Sequence, residues 1–362
     1  MPLNLVRKSA TVGIDLGHHS IKAVLIERTP QGWKLNQVVS TPTPAGAIKD
    51  GVVIDAEAVA EALRTMLNEA KVHATSCNIS VSGASVVVRT VRMPKMPEAT
   101  LRKSIKFEAG RYVPSSVEDS FIEFEILGPV DDSTMEVLIV AAPRDIVESR
   151  VHACDAAGLE VEIVDIEPFA TYRSLVEADS QTDWSNETFA LVDIGAMTTN
   201  VSVINKGIFA MTRSIPQGGH TLTEALKNYF KLSDEDAESG KGQLDLRELL
   251  ADGVPTENPP LRVLQPHIDD LIREIRRSLN YYQSQQSDGP SVVPVTKILL
   301  NGGGARFLGL SEYIESKMGI EAISLGVLDN PRFIASTPEP DSNGLELAVA
   351  SGLAMRAFTK AA

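Results

Sequence analysis

The sequence predicts an α/β protein in which one fold occurs twice, and three observations carry that expectation. The stretch Val12-Gly-Ile-Asp-Leu-Gly-His-His-Ser-Ile-Lys-Ala-Val-Leu-Ile26 is an apolar run, a polar turn holding Asp15 and Gly17, and a second apolar run, which is the pattern of two strands in a tight hairpin. Leu191-Val-Asp-Ile-Gly-Ala-Met-Thr-Thr-Asn-Val-Ser-Val-Ile204 aligns with it without a gap, setting Asp193 on Asp15, Gly195 on Gly17 and Thr198 on Ser20. Strand-like runs alternate with amphipathic helical patterns through the chain, the order of a layered α/β fold.

A single Asp-x-Gly hairpin is no more than a turn. Two copies of one design, one in each half, point to a ligand gripped between the halves. At such a turn Gly17 lets the backbone approach a ligand closely, and successive N–H groups can form a concavity for phosphate. The carboxylates of Asp15 and Asp193 suit a Mg²⁺ ion, which keeps most of its waters and is oriented through them.

After the first hairpin, Gln31 to Ser40 reads as a third strand, ended by Thr41-Pro-Thr-Pro-Ala-Gly46. Asp55 caps a helix with Val59, Leu63, Met66, Leu67 and Ala70 on one face, and Asn78 to Gly83 is a short strand closed by a glycine turn. From Val88 the texture changes. Arg89-Thr-Val-Arg-Met-Pro-Lys-Met-Pro97 is basic and punctuated by proline, Glu98 to Tyr112 is a helix stopped by Pro114, and strands follow at Phe121–Leu127 and Met135–Ala142. A second helix runs from Arg144 to about Ala157, ended by Gly158, so that 88–162 reads as a small inserted α+β domain. Its Arg102, Lys103, Lys106 and Arg111 are either a solvated face or a docking surface. Leu159 to Ile166 alternates as a strand, and Glu167-Pro-Phe-Ala opens a helix with proline in its normal early position. Glu167 is either the cap of that helix or a carboxylate at a strand end, able to orient an attacking water.

The polar stretch 178–188 joins the halves. In the second half Pro216-Gln-Gly-Gly-His220 opens a helix to about Tyr229, residues 234–253 are strongly polar, and 252–260 form a loop. Leu264 to Ser284 is the longest helix, burying Ile268, Leu271, Ile272, Ile275 and Leu279 and leaving Arg273, Arg276 and Arg277 to solvent. After a loop at 285–294, Val295 begins a buried strand that runs straight into Gly302, Gly303 and Gly304, ahead of a helix at Phe307–Met318. Such a run lets the main chain lie against a flat ligand. The final helix, from Leu345, is rich in small residues, and a glycine there is accounted for by close helix packing alone. The expected division is 1–87 with 163–188 and 335–362 as a first lobe, 88–162 as the insert, and 189–334 as a second lobe with a helical subdomain at about 222–292.

Apolar content of 43% with 23% charge is that of a folded chain, and 362 residues allow two or three domains. A net charge of −14 argues against general nucleic-acid binding, and Cys77 with Cys154 makes no disulfide framework. The N-terminus has no signal-peptide core and no run approaches the ~20 apolar residues of a membrane span, so a cytoplasmic or peripheral protein is expected.

Taken together, the motifs resemble those of the actin-like ATPase superfamily of actin, heat-shock chaperones, sugar kinases and bacterial cytoskeletal proteins. The two hairpins look like its two phosphate motifs, Leu300-Asn-Gly-Gly-Gly304 its adenosine motif, and Ile166-Glu-Pro-Phe-Ala170 and Ala350-Ser-Gly352 its two connecting helices. Ala237-Glu-Ser-Gly-Lys241 resembles the chaperone helix whose Glu and Lys touch ribose and adenine. The resemblance implies a duplicated actin-like ATPase fold that binds ATP and Mg. The residues it assigns to nucleotide are Gly17, Ser20, Lys22, Gly195, Thr198, Thr199, Asn200, Gly218, Gly219, Glu238, Lys241, Gly302, Gly303 and Gly304. Asp15 and Asp193 would orient the metal through water and act in catalysis with Glu167. His18 and His19 are unusual in that turn and are read as turn residues without a metal role.

The insert, with Met93-Pro-Lys-Met-Pro97 and Ile105-Lys-Phe-Glu-Ala-Gly-Arg-Tyr-Val-Pro114, and the start Leu3-Asn-Leu-Val-Arg-Lys8 are similar to the PilM family of type IV pilus assembly proteins, whose insert is SHS2-like. The cell-division protein FtsA has the same layout. This resemblance implies an adaptor of pilus assembly, and hence of twitching motility, that docks the N-terminal cytoplasmic tail of a PilN-like inner-membrane protein. Pilus motor or platform proteins and a homo-oligomer are further partners it brings into view, with the membrane reached only indirectly. Three alternatives stand beside it. An FtsA-like anchor is expected to carry an amphipathic C-terminal helix, and none is read before Ala362. A small-molecule kinase of the superfamily is usually larger and needs a base in a substrate insert. A degenerate fold without nucleotide is opposed by both aspartates and all three glycine turns. Turnover is expected to be slow at most, and the sequence leaves open whether ATP is hydrolysed or only bound.

Overall fold

The computed structural model describes residues 11–111, 116–250, 257–285, 293–335 and 343–358. The chain divides into two compact units, one built from 1–81, 145–179 and 327–362 and the other from 82–144 and 180–326.

The first unit opens with a meander of β1 (Thr11–Leu16), β2 (Ser20–Thr29) and β3 (Gly32–Pro42), followed by a two-residue pair, β4 (Ile48–Lys49) and β5 (Val52–Val53). Asp55 accepts the Ala58 N–H at 3.0 Å and starts α1 (Ala56–Glu69), whose Val59, Leu63, Met66 and Leu67 are buried as the 3.6-residue period requires. β6 (Ser76–Val81) then lies parallel to β1. The chain passes into the second unit through β7 (Val87–Pro94), α2 (Glu98–Ala109), β8 (Ser120–Pro129) and β9 (Thr134–Pro143). It returns with α3 (Arg144–Ala156), β10 (Glu160–Ile166) parallel to β6, and α4 (Glu167–Tyr172), which continues into a π-helical turn at Arg173–Glu177.

In the second unit the meander recurs as β11 (Thr188–Ile194), β12 (Thr199–Asn205) and β13 (Ile208–Ile215), followed by α5 (Gly219–Phe230), α6 (Asp234–Gly242) and α7 (Pro259–Ser284). β14 (Lys297–Asn301), α8 (Leu310–Met318) and β15 (Glu321–Ser324) complete it, and β16 (Phe333–Ala335) and α9 (Ala348–Arg356) belong to the first unit. The sheet orders are β10-β6-β1-β2-β3-β16 and β15-β14-β11-β12-β13-β7-β9-β8. Each contains the same five strands in the same order: an antiparallel meander flanked by two parallel strands beyond its first member. The duplication expected from the hairpins is therefore a duplication of the whole sheet.

Several elements differ from the sequence expectation. The segment 88–162 is shared between the two units, with 88–144 in the second and 145–162 in the first. β7 pairs with β13 at Met211–Arg89, and Thr90 Oγ1 donates to the Phe209 carbonyl at 2.8 Å, so β7, β9 and β8 extend the second unit's sheet. α3 instead packs into the first unit, where Ala153 and Cys154 share a core with Cys77, Leu159, Leu63 and Leu67. α7 begins at Pro259 because Asn258 caps it and Pro259 and Pro260 fall at positions that need no N–H, while Pro266 lies inside the helix. The polar run after Ser233 holds α6, with acidic residues in its first turn as the helix dipole favours. The expected helix stop at Pro114 and the end of the chain fall outside the described residues. No helix among the described residues is long and apolar enough to cross a membrane.

Candidate functional site

The two hairpins have identical register. Asp15 lies opposite Lys22 and Leu16 opposite Ile21, while Asp193 lies opposite Asn200 and Ile194 opposite Thr199. Turn length fixes register, and a one-residue slip would send every side chain to the other face, so equivalent residues take equivalent positions. In the first copy Asp15 is buried and its Oδ2 accepts from Lys22 Nζ at 3.0 Å. Lys22 also reaches the Ser20 carbonyl at 3.4 Å, which folds its ammonium back over the turn. His18 is half-buried, and its pKa lies below the ordinary 6.5, first because burial disfavours its charge and next because Arg150 repels it, with Asp15 and Asp50 opposing.

In the second copy, the Gly195 N–H closes the turn on the Thr198 carbonyl at 2.9 Å. The first turn of α5 holds this hairpin in place: the Gly219 N–H donates to the Gly195 carbonyl at 2.9 Å and the His220 N–H to the Ala196 carbonyl at 2.8 Å. The Thr199 hydroxyl donates to the Gln217 carbonyl at 2.8 Å, and the residue is buried. Asp193 also lies opposite Asn301 of β14. The Asn301 amide is 1% exposed, and neither of its polar atoms has a hydrogen-bond partner within the described residues.

Gly302, Gly303 and Gly304 have separate reasons to be glycine. At Gly302 φ is +87°, and a Cβ there would sit 2.2 Å from Asp193 Oδ1. At Gly304 a Cβ would meet Ile194 Cγ2 at 2.4 Å, so both positions are closed by the protein itself. At Gly303 a Cβ would meet nothing within 4 Å. Of these three glycines, only Gly303 has open space beside the main chain. Close by, Lys241 Nζ donates to Glu238 Oε2 at 2.7 Å, Thr223 Oγ1 at 2.9 Å and the Gly219 carbonyl at 3.2 Å, clamping α6 to the start of α5. Gly218, Gly219, Gly304, Leu222, Phe307 and His267 line part of a largely apolar pocket in this unit.

Glu167 is half-buried in the first turn of α4, and Ile166 is the N-cap, so the carboxylate is not the cap. It follows β10 at the carboxyl edge of the first sheet, the edge that also ends in Leu16 and Gly17 two strands away. The structure thus gathers Asp15, Gly17, Ser20 and Lys22 in one hairpin, and Asp193, Gly195, Gly219, Lys241 and Gly302–Gly304 around the other. Arg150 and Asn301 were missed by sequence reasoning because a buried polar side chain has no local pattern. The basic residues of α2 and of the turn after it are largely matched: Arg102 pairs with Glu98 and Glu123, Lys106 with Glu118, and Arg111 with Glu108. On the same helix Phe107 is 75% exposed. Among the described residues no group of three or more His, Cys, Asp or Glu is placed to hold a metal ion.

A family model for the type IV pilus assembly protein PilM matches residues 13–358. Cell division protein FtsA of Streptococcus pneumoniae is 22% identical over 351 residues, covering 87% of this chain and 75% of FtsA. A chain of the PilM-PilN type IV pilus biogenesis complex superposes with a TM-score of 0.82 at 24% identity, covering 97% of this chain and 99% of that one. MreB5 of Spiroplasma citri, solved bound to AMPPNP, superposes with a TM-score of 0.52 at 13% identity over 97% of this chain and 96% of its own. These likenesses establish the actin-like fold.

Proposed function

The chain belongs to the family of the type IV pilus assembly protein PilM, and from that premise we propose that it is an ATP-binding adaptor of pilus assembly that docks the N-terminal cytoplasmic tail of a PilN-like inner-membrane protein. The observation that carries the nucleotide reading is the common register of the two hairpins, with aspartate, glycine and the return strand at matching places. Many turns can close a hairpin, so folding alone gives no reason for this one to recur in both units. The open space at Gly303 adds a surface on which a flat ring can lie.

On this reading the phosphates are taken by Gly17, Ser20, Lys22, Gly195, Thr198 and Asn200, and the nucleoside by Gly218, Gly219, Gly303, Glu238 and Lys241. Asp15 and Asp193 face the hydration shell of Mg²⁺, which when bound neutralises phosphate charge. Glu167 orients a water, and turnover is slow because assembly or a partner completes the site. Asp193→Ala should lower Mg·ATP affinity by about 2–3 kcal/mol, as loss of a charge-assisted contact does. Unchanged affinity in titration calorimetry refutes the assignment. Glu167→Gln should slow turnover at equal affinity.

The partner reading rests on the family and on the complex in which the PilM relative was solved. The 88–143 part of the expected insert offers an outer edge strand, β8, and the exposed cations Lys95 and Lys103 to an extended peptide. A synthetic tail peptide should bind the full chain, and Lys95→Glu with Lys103→Glu should weaken it. Equal affinity for both proteins places the docking surface elsewhere.

A further inference from the structure

We propose that Arg150 and Thr43 are positioning residues that preset the Gly17–Ser20 turn to receive phosphate. Arg150 lies on α3, is 1% exposed, and spans three segments of the first unit. Its Nε donates to the Gly51 carbonyl at 3.0 Å, and its Nη1 donates to the Leu16 and Ser80 carbonyls at 3.2 Å each. One side chain thereby ties the end of β1 to the end of β6 and to the turn between β4 and β5. Thr43 holds the other side of the same turn: its Oγ1 donates to the Gly17 carbonyl at 2.6 Å and its N–H to the His19 carbonyl at 3.1 Å.

The carbonyls of Leu16, Gly17 and His19 are thus all fastened to donors within the unit. In a trans peptide the C=O of one residue and the N–H of the next point in opposite directions. Fastening these carbonyls therefore turns the N–H groups of Gly17, His18 and Ser20 away from Arg150 and Thr43. Successive N–H groups so directed are the elements of an anion-binding concavity. Their orientation is set before any ligand arrives, which removes an ordering cost from binding.

Arg150 contributes charge as well as geometry. The acceptors named above are all neutral carbonyls, whereas Arg173, also buried, pairs with the Asp165 carboxylate at 2.9 Å. A buried guanidinium costs free energy to desolvate, and an anion bound on the far side of the turn would offset part of that cost.

The proposal rests on the nucleotide reading above, and calorimetry on the full chain separates the two. Mg·ATP and adenosine are titrated into wild type, Thr43→Val, Arg150→Lys and Arg150→Met, with circular dichroism and urea melts as a check on folding. Thr43→Val keeps the volume and the main-chain bond to His19 and removes only the bond to Gly17. It should lower Mg·ATP affinity roughly five- to tenfold, the worth of one hydrogen bond, and leave adenosine affinity unchanged. Arg150→Lys should lose more, and Arg150→Met more again, with the same discrimination. A folded Thr43→Val protein that binds Mg·ATP like wild type, or loses ATP and adenosine equally, overturns the proposal even if the Arg150 variants fail to fold. Wild type that binds no Mg·ATP refutes the nucleotide reading and this inference with it.

Discussion

Replacing Gly352 by alanine tests how tightly α9 is seated in the first unit. A Cβ at that position would lie 1.8 Å from the Ala170 carbonyl oxygen and 2.4 Å from its carbon. Ordinary contact begins near 3.4 Å, so α9 and α4 would have to separate by about 1.5 Å. That shift strains three bonds anchoring α9: Ser174 Oγ to the Ala348 carbonyl at 2.7 Å, Arg173 Nη1 to the Gly352 carbonyl at 2.9 Å, and Asn78 Nδ2 to the Leu353 carbonyl at 3.0 Å. It is also opposed at Gly13, where β1 approaches α9 so closely that a Cβ would be 2.2 Å from the Ala350 carbonyl oxygen. Overpacking alone costs about 1–3 kcal/mol, and the weakened bonds, one of them charged, add a similar amount. Alanine returns about 1 kcal/mol of helix propensity. The net expectation is a loss of about 1–5 kcal/mol, a large share of the roughly 5–15 kcal/mol of a domain. Urea unfolding followed by circular dichroism reads it directly. A loss below 1 kcal/mol would refute the packing argument, since it requires α9 to yield without breaking its anchors.

Gly303→Ala should leave the unfolding free energy from urea melts within about 0.5 kcal/mol of wild type while lowering Mg·ATP affinity, whereas Gly304→Ala should destabilise the fold through its 2.4 Å approach to Ile194. If Gly303→Ala binds nucleotide unchanged, that glycine has no ligand to make room for. His18 carries a pH expectation. Its folded pKa lies below 6.5, chiefly through burial and then through Arg150, with Asp15 and Asp50 opposing, so the unfolded chain binds the proton more readily. The stability it contributes is full above about pH 6.5 and is lost as pH falls through that value toward the folded pKa. Wild type should therefore lose stability relative to His18→Asn between pH 7.5 and 5.5, and parallel pH curves for the two proteins would contradict this.

The hairpins, the α1 cap at Asp55 and the buried faces of α1 and α7 were legible in the sequence because each is set within one or two turns of chain. Turn length fixes the register of β1 with β2 and of β11 with β12, and an ungapped repeat carries one register to the other. The family motifs were legible for the same reason, since each is a short contiguous run, at a strand end for the hairpins and Leu300–Gly304 and within one helix for Ala237–Lys241 and Ala350–Gly352. The partners of those elements were decided only in the tertiary structure. The pattern of α3 shows that it buries a face, but not that the face meets Cys77 and Leu63 rather than β8 and β9. A strand such as β7 can add to any free sheet edge, and its pairing with β13, over a hundred residues later, depends on which edges the rest of the chain leaves open. Nothing in the sequence around Arg150, or in the run Leu300–Gly304 that holds Asn301, shows that the fold buries these two side chains. A polar side chain takes its role from the groups around it, and those groups come from segments that only folding brings together.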